Sequence, residues 1–243
     1  MTYCVGVLLE SGLVMASDSR TNAGVDHVAT FPKMTVFSKP GERVITMLTA
    51  GNLAISQAVV NLLQQRINEN IEPNMHTVSS LLDAAHVVGD ALRAVHAEDA
   101  EHLKKHAADF NQSILLGGQI VGERPRLFNI YAAGNFIEAV AETPYFQIGE
   151  TKYGKPILDR IIGSRSNLNE VTKCVLISFD STIRSNLSVG LPIDLLQYKS
   201  DSFDASNKRR IVDDDVYFNQ LRKHWAEGLK RVFTELPEFD LET

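Results

Sequence analysis

The chain is 243 residues long, 44% hydrophobic and 22% charged, the proportions of an ordinary globular protein with a sizeable core. Its net charge of −6 excludes the basic footprint of a protein that grips a phosphate backbone, so nucleic acid is not an expected partner. No basic stretch followed by an apolar segment opens the sequence and no apolar run is long enough to span a bilayer, so the expectation is a cytoplasmic protein without a membrane partner.

In chain order, Cys4–Leu9 and Leu13–Ser17 read as two short strands joined by a hairpin at Glu10-Ser11-Gly12. Met34–Phe37 and Val44–Leu48 flank a second turn, Lys39-Pro40-Gly41-Glu42. The period then changes. Ile55, Val59, Leu62 and Leu63 recur at helical spacing, as do Val78, Leu81, Leu82, Ala85, Val88, Leu92 and Val95 after a break at Glu72-Pro73-Asn74. These stripes predict two long amphipathic helices that bury one face each. Strand character returns at Ser113–Val121, Arg126–Ala132 and a segment ending near Gly149. Helical spacing resumes around Ile157–Ile162, from Glu170 to about Ser185, and through Phe218, Leu221, Trp225, Leu229 and Val232. Asp213–Asp215 would sit at the positive end of that last helix, and the preceding Lys208-Arg209-Arg210 reads as a solvated loop. Strand blocks alternating with helix pairs predict an α+β layered fold, and with no linker or repeat a single domain over 1–243.

Few of the usual chemical motifs are present. Phosphate-binding glycine loops, paired Cys-x-x-Cys and a nucleophile-elbow serine are absent from the sequence. Cys4 and Cys174 lie in apolar runs and are expected as buried free thiols in a reducing compartment. His102 and His106 have metal-ligand spacing, but Leu103-Lys104-Lys105 between them lacks the glutamate of a zinc peptidase, and a solvated helix face is the expectation. Thr2 is more informative. A residue this small after Met1 permits removal of the methionine, which would leave a hydroxyl and a free α-amine on one residue. Such an amine, with a pKa near ~8, can accept the proton of the hydroxyl beside it, directly or through water.

The residues that follow strengthen this reading. Gly12 to Arg20, a glycine turn and apolar strand running into Asp18-Ser19-Arg20, resembles the proteasome β-subunit signature, with Gly24, then Lys33 in Phe31-Pro32-Lys33, and then Thr49-Ala50-Gly51 opening a helix. Thr21-Asn22-Ala23-Gly24 and the terminal Met1-Thr2-Tyr3-Cys4 look most like the bacterial proteasome-like family called Anbu, with the peptidase HslV a more distant relative. The resemblance implies a four-layer αββα sandwich, an N-terminal-nucleophile hydrolase in which Thr2 attacks a peptide or amide carbonyl, no cofactor or metal, and assembly of the chain with copies of itself. Position by position it implies Asp18 as the carboxylate and Lys33 as the amine that lowers the hydroxyl's pKa. Gly51 is implied as the oxyanion-binding amide, and Asp180 and Ser185 as distal supports of the terminal amine.

Two features depart from the family pattern. Gly149-Glu150-Thr151 stands where proteasome subunits have Gly-Ser-Gly, which would put the Glu150 carboxylate near the terminal amine and raise its pKa. The mature chain would have Tyr3, not the commoner threonine, as its second residue. An amidase acting on small amides and a non-catalytic assembly protein of the same fold remain open as alternatives.

Overall fold

The structure is a computed structural model that describes residues 2–22, 28–105, 111–163 and 165–239. Met1, Gly24 and His106 lie outside the described residues, as does the side chain of His102. In chain order the elements are β1 (Tyr3–Leu9), β2 (Gly12–Asp18), β3 (Arg20–Asn22), β4 (Val28–Thr30), β5 (Met34–Lys39) and β6 (Arg43–Gly51). The helices α1 (Leu53–Asn68) and α2 (Leu81–Lys105) follow, then β7 (Gln112–Ile120), β8 (Arg126–Ile130), β9 (Phe136–Glu138) and β10 (Tyr145–Gly149). The remainder comprises α3 (Lys155–Ile161), α4 (Leu168–Ser185), β11 (Ile193–Lys199), β12 (Lys208–Ile211) and α5 (Val216–Glu235).

Two five-stranded sheets face each other, ordered β10-β1-β2-β11-β12 and β5-β6-β7-β8-β9, and the pairings within both are antiparallel. Three apolar cores separate four layers. Ile55, Val59 and Leu63 of α1 and Leu81, Ala85, Val88 and Leu92 of α2 pack on Ile45, Met47, Leu116 and Phe128 of the second sheet. Val171, Val175 and Phe179 of α4 and Phe218 of α5 pack on Val5, Val7, Val14 and Ala16 of the first. Cys4, Leu13 and Met15 meet Leu48, Leu115 and Leu127 between the sheets. The αββα sandwich implied by the sequence is therefore the fold observed. Strands buried on both faces explain why β1, β2 and β6 read as continuous apolar runs and not as alternating ones.

Between the sheets, Gly6 and Gly117 leave the room that Met15 fills. A Cβ at Gly6 would lie 3.0 Å from the Met15 sulfur, and one at Gly117 would lie 3.1 Å from it. Both cysteines are buried free thiols, and burial raises both pKa values, that of Cys174 to about 12.

The helix starts carry sequence-encoded caps. The Asn52 side chain accepts the Ala54 N–H, Asn167 and Glu170 form a reciprocal capping box, and Asp215 accepts the Phe218 N–H. Of the acidic run 213–215, Asp215 is thus the residue that caps α5.

Two expectations need correction. Lys208-Arg209-Arg210 is no loop but β12, an edge strand, and β11 before it was not anticipated. Arg209 pairs with Asp215 at 2.7 Å and Arg210 with Asp194 at 3.4 Å, so the cations sit on a sheet edge where charge discourages further strand pairing. Val78 does not belong to α2, which starts at Leu81. Its carbonyl instead accepts from Arg43 Nη1 at 2.9 Å, and its side chain is buried in the turn.

Candidate active site

The beginning of β1 is held on both sides. Successive residues of a strand point their backbone polar groups to opposite edges. The Tyr3 N–H points toward β2 and donates to Asp18 Oδ1 at 3.0 Å, while the Thr2 carbonyl points toward β10 and accepts the Glu150 N–H at 2.7 Å. Gly149 has φ +83°, and a Cβ there would stand 2.0 Å from the Thr2 carbonyl oxygen, so only glycine lets β10 close over Thr2. The Tyr3 ring fixes this start from below. Its hydroxyl donates to Ser178 Oγ at 3.0 Å and accepts from Gln147 Nε2 at 2.7 Å, and the ring packs against Phe179 at 4.6 Å. Burial holds the Tyr3 phenol far above its ordinary pKa. A tyrosine following Thr2 therefore ties the strand to α4.

Thr2, 9% exposed, lies at the wall of a cavity of about 530 Å³, lined also by Arg20, Thr21, Lys33, Thr49, Ala50, Gly51, Ser113 and Gly149. Lys33 enters from the second sheet. Its backbone carbonyl accepts the Thr49 N–H of β6 at 3.0 Å. Its ammonium donates to Asp18 Oδ1 of the first sheet and to the Arg20 carbonyl of β3, which pairs with β4 in a separate ribbon, both at 2.7 Å. Asp18 is 0% exposed and Lys33 6%. Burial pushes the Asp18 carboxyl above its usual range, and the Lys33 charge and the hydrogen bonds from Lys33 and Tyr3 oppose that rise. Gly51 closes β6 with φ +125°, where a Cβ would meet the Asn111 carbonyl oxygen at 1.9 Å. The helix α1 begins two residues on, capped by Asn52.

The residues singled out from sequence fall into two groups. Thr2, Lys33 and Gly51 line the one cavity, with Asp18 buried directly behind Lys33. Asp180 and Ser185 are not among its lining residues. Asp180 faces α5, where its carboxylate accepts from Arg222 at 2.7 Å, and it also accepts from Arg184 one turn on in α4 at 3.2 Å, while Ser185 is exposed in the last turn of α4. The reason is that α4 runs unbroken to Ser185 and turns Asp180 away from β1. From this region Asn186, the C-cap of α4, donates from Nδ2 to Glu150 Oε2 at 2.9 Å, and the Leu187 carbonyl after it accepts from Arg20 Nη1 at 3.0 Å. An asparagine just past a helical run was the available signal for Asn186. The lining residues Thr21, Ser56, Asn111 and Ser113 come from four separate segments and carry no motif.

Two facing sheets between helix layers, with a cavity where the first strand begins, define the class of proteasome-like N-terminal-nucleophile folds. No family model matches the sequence. Among solved structures, Anbu (ancestral beta-subunit) from Yersinia bercovieri is 51% identical, with 98% of this chain and 99% of that one covered and a TM-score of 0.93. The Anbu chain from Pseudomonas aeruginosa, described as a helical assembly, is 49% identical over 99% of both chains with a TM-score of 0.95. The chain belongs to the Anbu family. A more distant similarity, 27% identity over 139 residues, links it to proteasome subunit beta 2 of Sulfurisphaera tokodaii and covers 56% of this chain and 58% of the subunit.

Proposed function

We propose that the chain is a threonine-type peptide or amide hydrolase whose nucleophile is the Thr2 hydroxyl after removal of Met1. The observation that carries this reading is the meeting of Thr2, Lys33 and Gly51 at one cavity, with Asp18 Oδ1 bound at once to the Lys33 ammonium and to the amide of the residue after Thr2. The Lys33 charge lowers the hydroxyl's pKa, and the bonds to Asp18 and the Arg20 carbonyl keep that ammonium in place. The Thr2 α-amine takes the hydroxyl proton, directly or through water, as Oγ1 attacks the substrate carbonyl carbon. The Gly51 N–H, with α1 starting just beyond it, stabilises the negative charge that gathers on the carbonyl oxygen. The amine returns the proton to the leaving nitrogen, and the ester left on Thr2 is cleaved by water.

The Anbu chain from Pseudomonas aeruginosa is described as a helical assembly, and by that likeness this chain acts in an assembly of its own copies. Treating the processed protein with a threonine-directed β-lactone, followed by intact mass and N-terminal sequencing, tests the reading. One adduct on Thr2 is expected, and its absence alongside intact fold and freed Thr2 would overturn it.

A further inference from the structure

Glu150 is a buried carboxylate, 7% exposed, with neutral partners. Its Oε1 accepts the Lys152 backbone N–H at 3.0 Å and its Oε2 accepts Asn186 Nδ2 at 2.9 Å. Among the described residues no lysine, arginine or histidine pairs with it. A buried carboxylate is costly unless a positive charge stands near it. The backbone beside it indicates where that charge arises. Because the Thr2 carbonyl points to the β10 edge and accepts the Glu150 N–H, the Thr2 nitrogen points to that same edge. When Met1 is removed, this nitrogen becomes an ammonium at the β10 edge, next to the end of the strand that carries Glu150.

We infer that Glu150 is the counter-charge of the Thr2 α-amine, the group that holds this amine at the β10 edge and sets the pH at which it becomes a base. The inference rests on the reading of Thr2 as the processed terminal residue. The other charged groups around Thr2 have partners of their own, except that Arg20 Nε is without one among the described residues. Asp18 on β2 and Lys33 before β5 pair with each other. Arg20 on β3 donates from Nη1 to the Leu187 carbonyl at 3.0 Å. From α4, Asp180 pairs with Arg184 and Arg222, and Asn186 at its cap is neutral. Lys152 meets Glu150 through its backbone. The consequence is that the ammonium is favoured near Glu150, so the amine becomes a free base at a higher pH than an unperturbed terminus.

The test is to titrate the Thr2 amine of the processed protein by trace labelling with acetic anhydride across pH, read on the N-terminal peptide by mass spectrometry. Glu150→Gln keeps the side chain's shape and removes the charge, and is expected to lower the midpoint by about one unit or more. Glu150→Asp is expected to recover part of the shift. The acid limb of β-lactone labelling at Thr2 should move the same way. An unmoved midpoint in Glu150→Gln would overturn the inference, because a brace acting only through hydrogen bonds predicts that result. Should that variant not fold, the wild-type midpoint is compared with that of the same chain in denaturant. A folded value above the denatured one supports the pair, and one at or below it overturns it. Wild type that shows the raised midpoint but no lactone adduct would instead sink the hydrolase reading and leave the Glu150 pair standing.

Discussion

Asp18 Oδ1 serves two donors, the Lys33 ammonium and the Tyr3 amide, so the residue that steadies the lysine also fixes the strand next to Thr2. Removing the lysine charge should therefore cost stability as well as chemistry. Lys33→Met leaves Asp18 buried without its cation, and a loss of about 3–5 kcal/mol at pH 7 is expected. The sign with pH follows from Asp18, whose folded pKa is raised by burial. Without Lys33 it rises further, the folded state then holds the proton more tightly than the unfolded chain, and the deficit is absent below about pH 3.9 and grows as pH climbs through the folded value. Urea unfolding of the variant and wild type at pH 4 and pH 7 checks this, and an equal gap at both would count against it. Thr2→Ala is expected to abolish lactone labelling and any hydrolysis, a loss of at least about a thousandfold, with the melting curve nearly unchanged. Thr2, Asp18, Lys33 and Gly51, which the structure brings to one cavity or directly behind it, each sit in a short local pattern of the sequence. Asp180 and Ser185 could not be placed correctly, because only the helical phase of α4 shows which way Asp180 points.

At the scale of elements, strands β8 and β9 are joined by a two-pronged contact in which Arg126 Nε and Nη2 donate to the two Glu138 oxygens at 2.8 and 2.7 Å. That pairing holds the Glu138 carboxyl below its usual range. A lowered carboxylate pKa adds stability above the unfolded value that is lost as pH falls through the folded one. Glu138→Gln should therefore cost about 1 kcal/mol at pH 7, and the difference should close below about pH 4. Denaturant melts at pH 7 and pH 3 measure it. Glycine sets the junction of β10 with Thr2. Gly149→Ala would push a Cβ against the Thr2 carbonyl, and should destabilise by about 2 kcal/mol or more while slowing lactone labelling. Strands β1, β2 and β6 were legible from sequence because burial on both faces makes them continuous apolar runs. β12 was not, since an edge strand whose cations are held by side-chain partners on neighbouring elements reads as a charged loop.

For the whole molecule, the second half of α5 presents Leu229, Val232, Phe233 and Leu236 to solvent, Phe233 at 76% exposure. From the proposed assembly, the cover expected for this strip is another copy of the chain. Phe233→Glu is then expected to shift the protein toward smaller species in sedimentation velocity without lowering the stability of the isolated chain, and an unchanged distribution would exclude α5 from the contact. The layered architecture could be inferred from alternating strand and helix blocks, whereas this exposed strip could not, because a helical apolar stripe looks the same whether it faces a core or a neighbour.

The cavity draws on both sheets, Thr2 and Gly149 from one, Thr49, Gly51 and Ser113 from the other, and Lys33 tied to the second by its backbone and to the first by its charge. The gap between the sheets is filled by side chains such as Met15, fitted against Gly6 and Gly117 and standing about 10 Å along β2 from Asp18. The sheets thus behave as the jaws of a caliper, and the volume of an apolar side chain deep inside is the stop that sets their opening. A sequence drifting at such a position, with every polar residue of the cavity intact, would widen or narrow the distance between Thr2 and the Gly51 amide and so, under the proposed mechanism, adjust the rate from within the core.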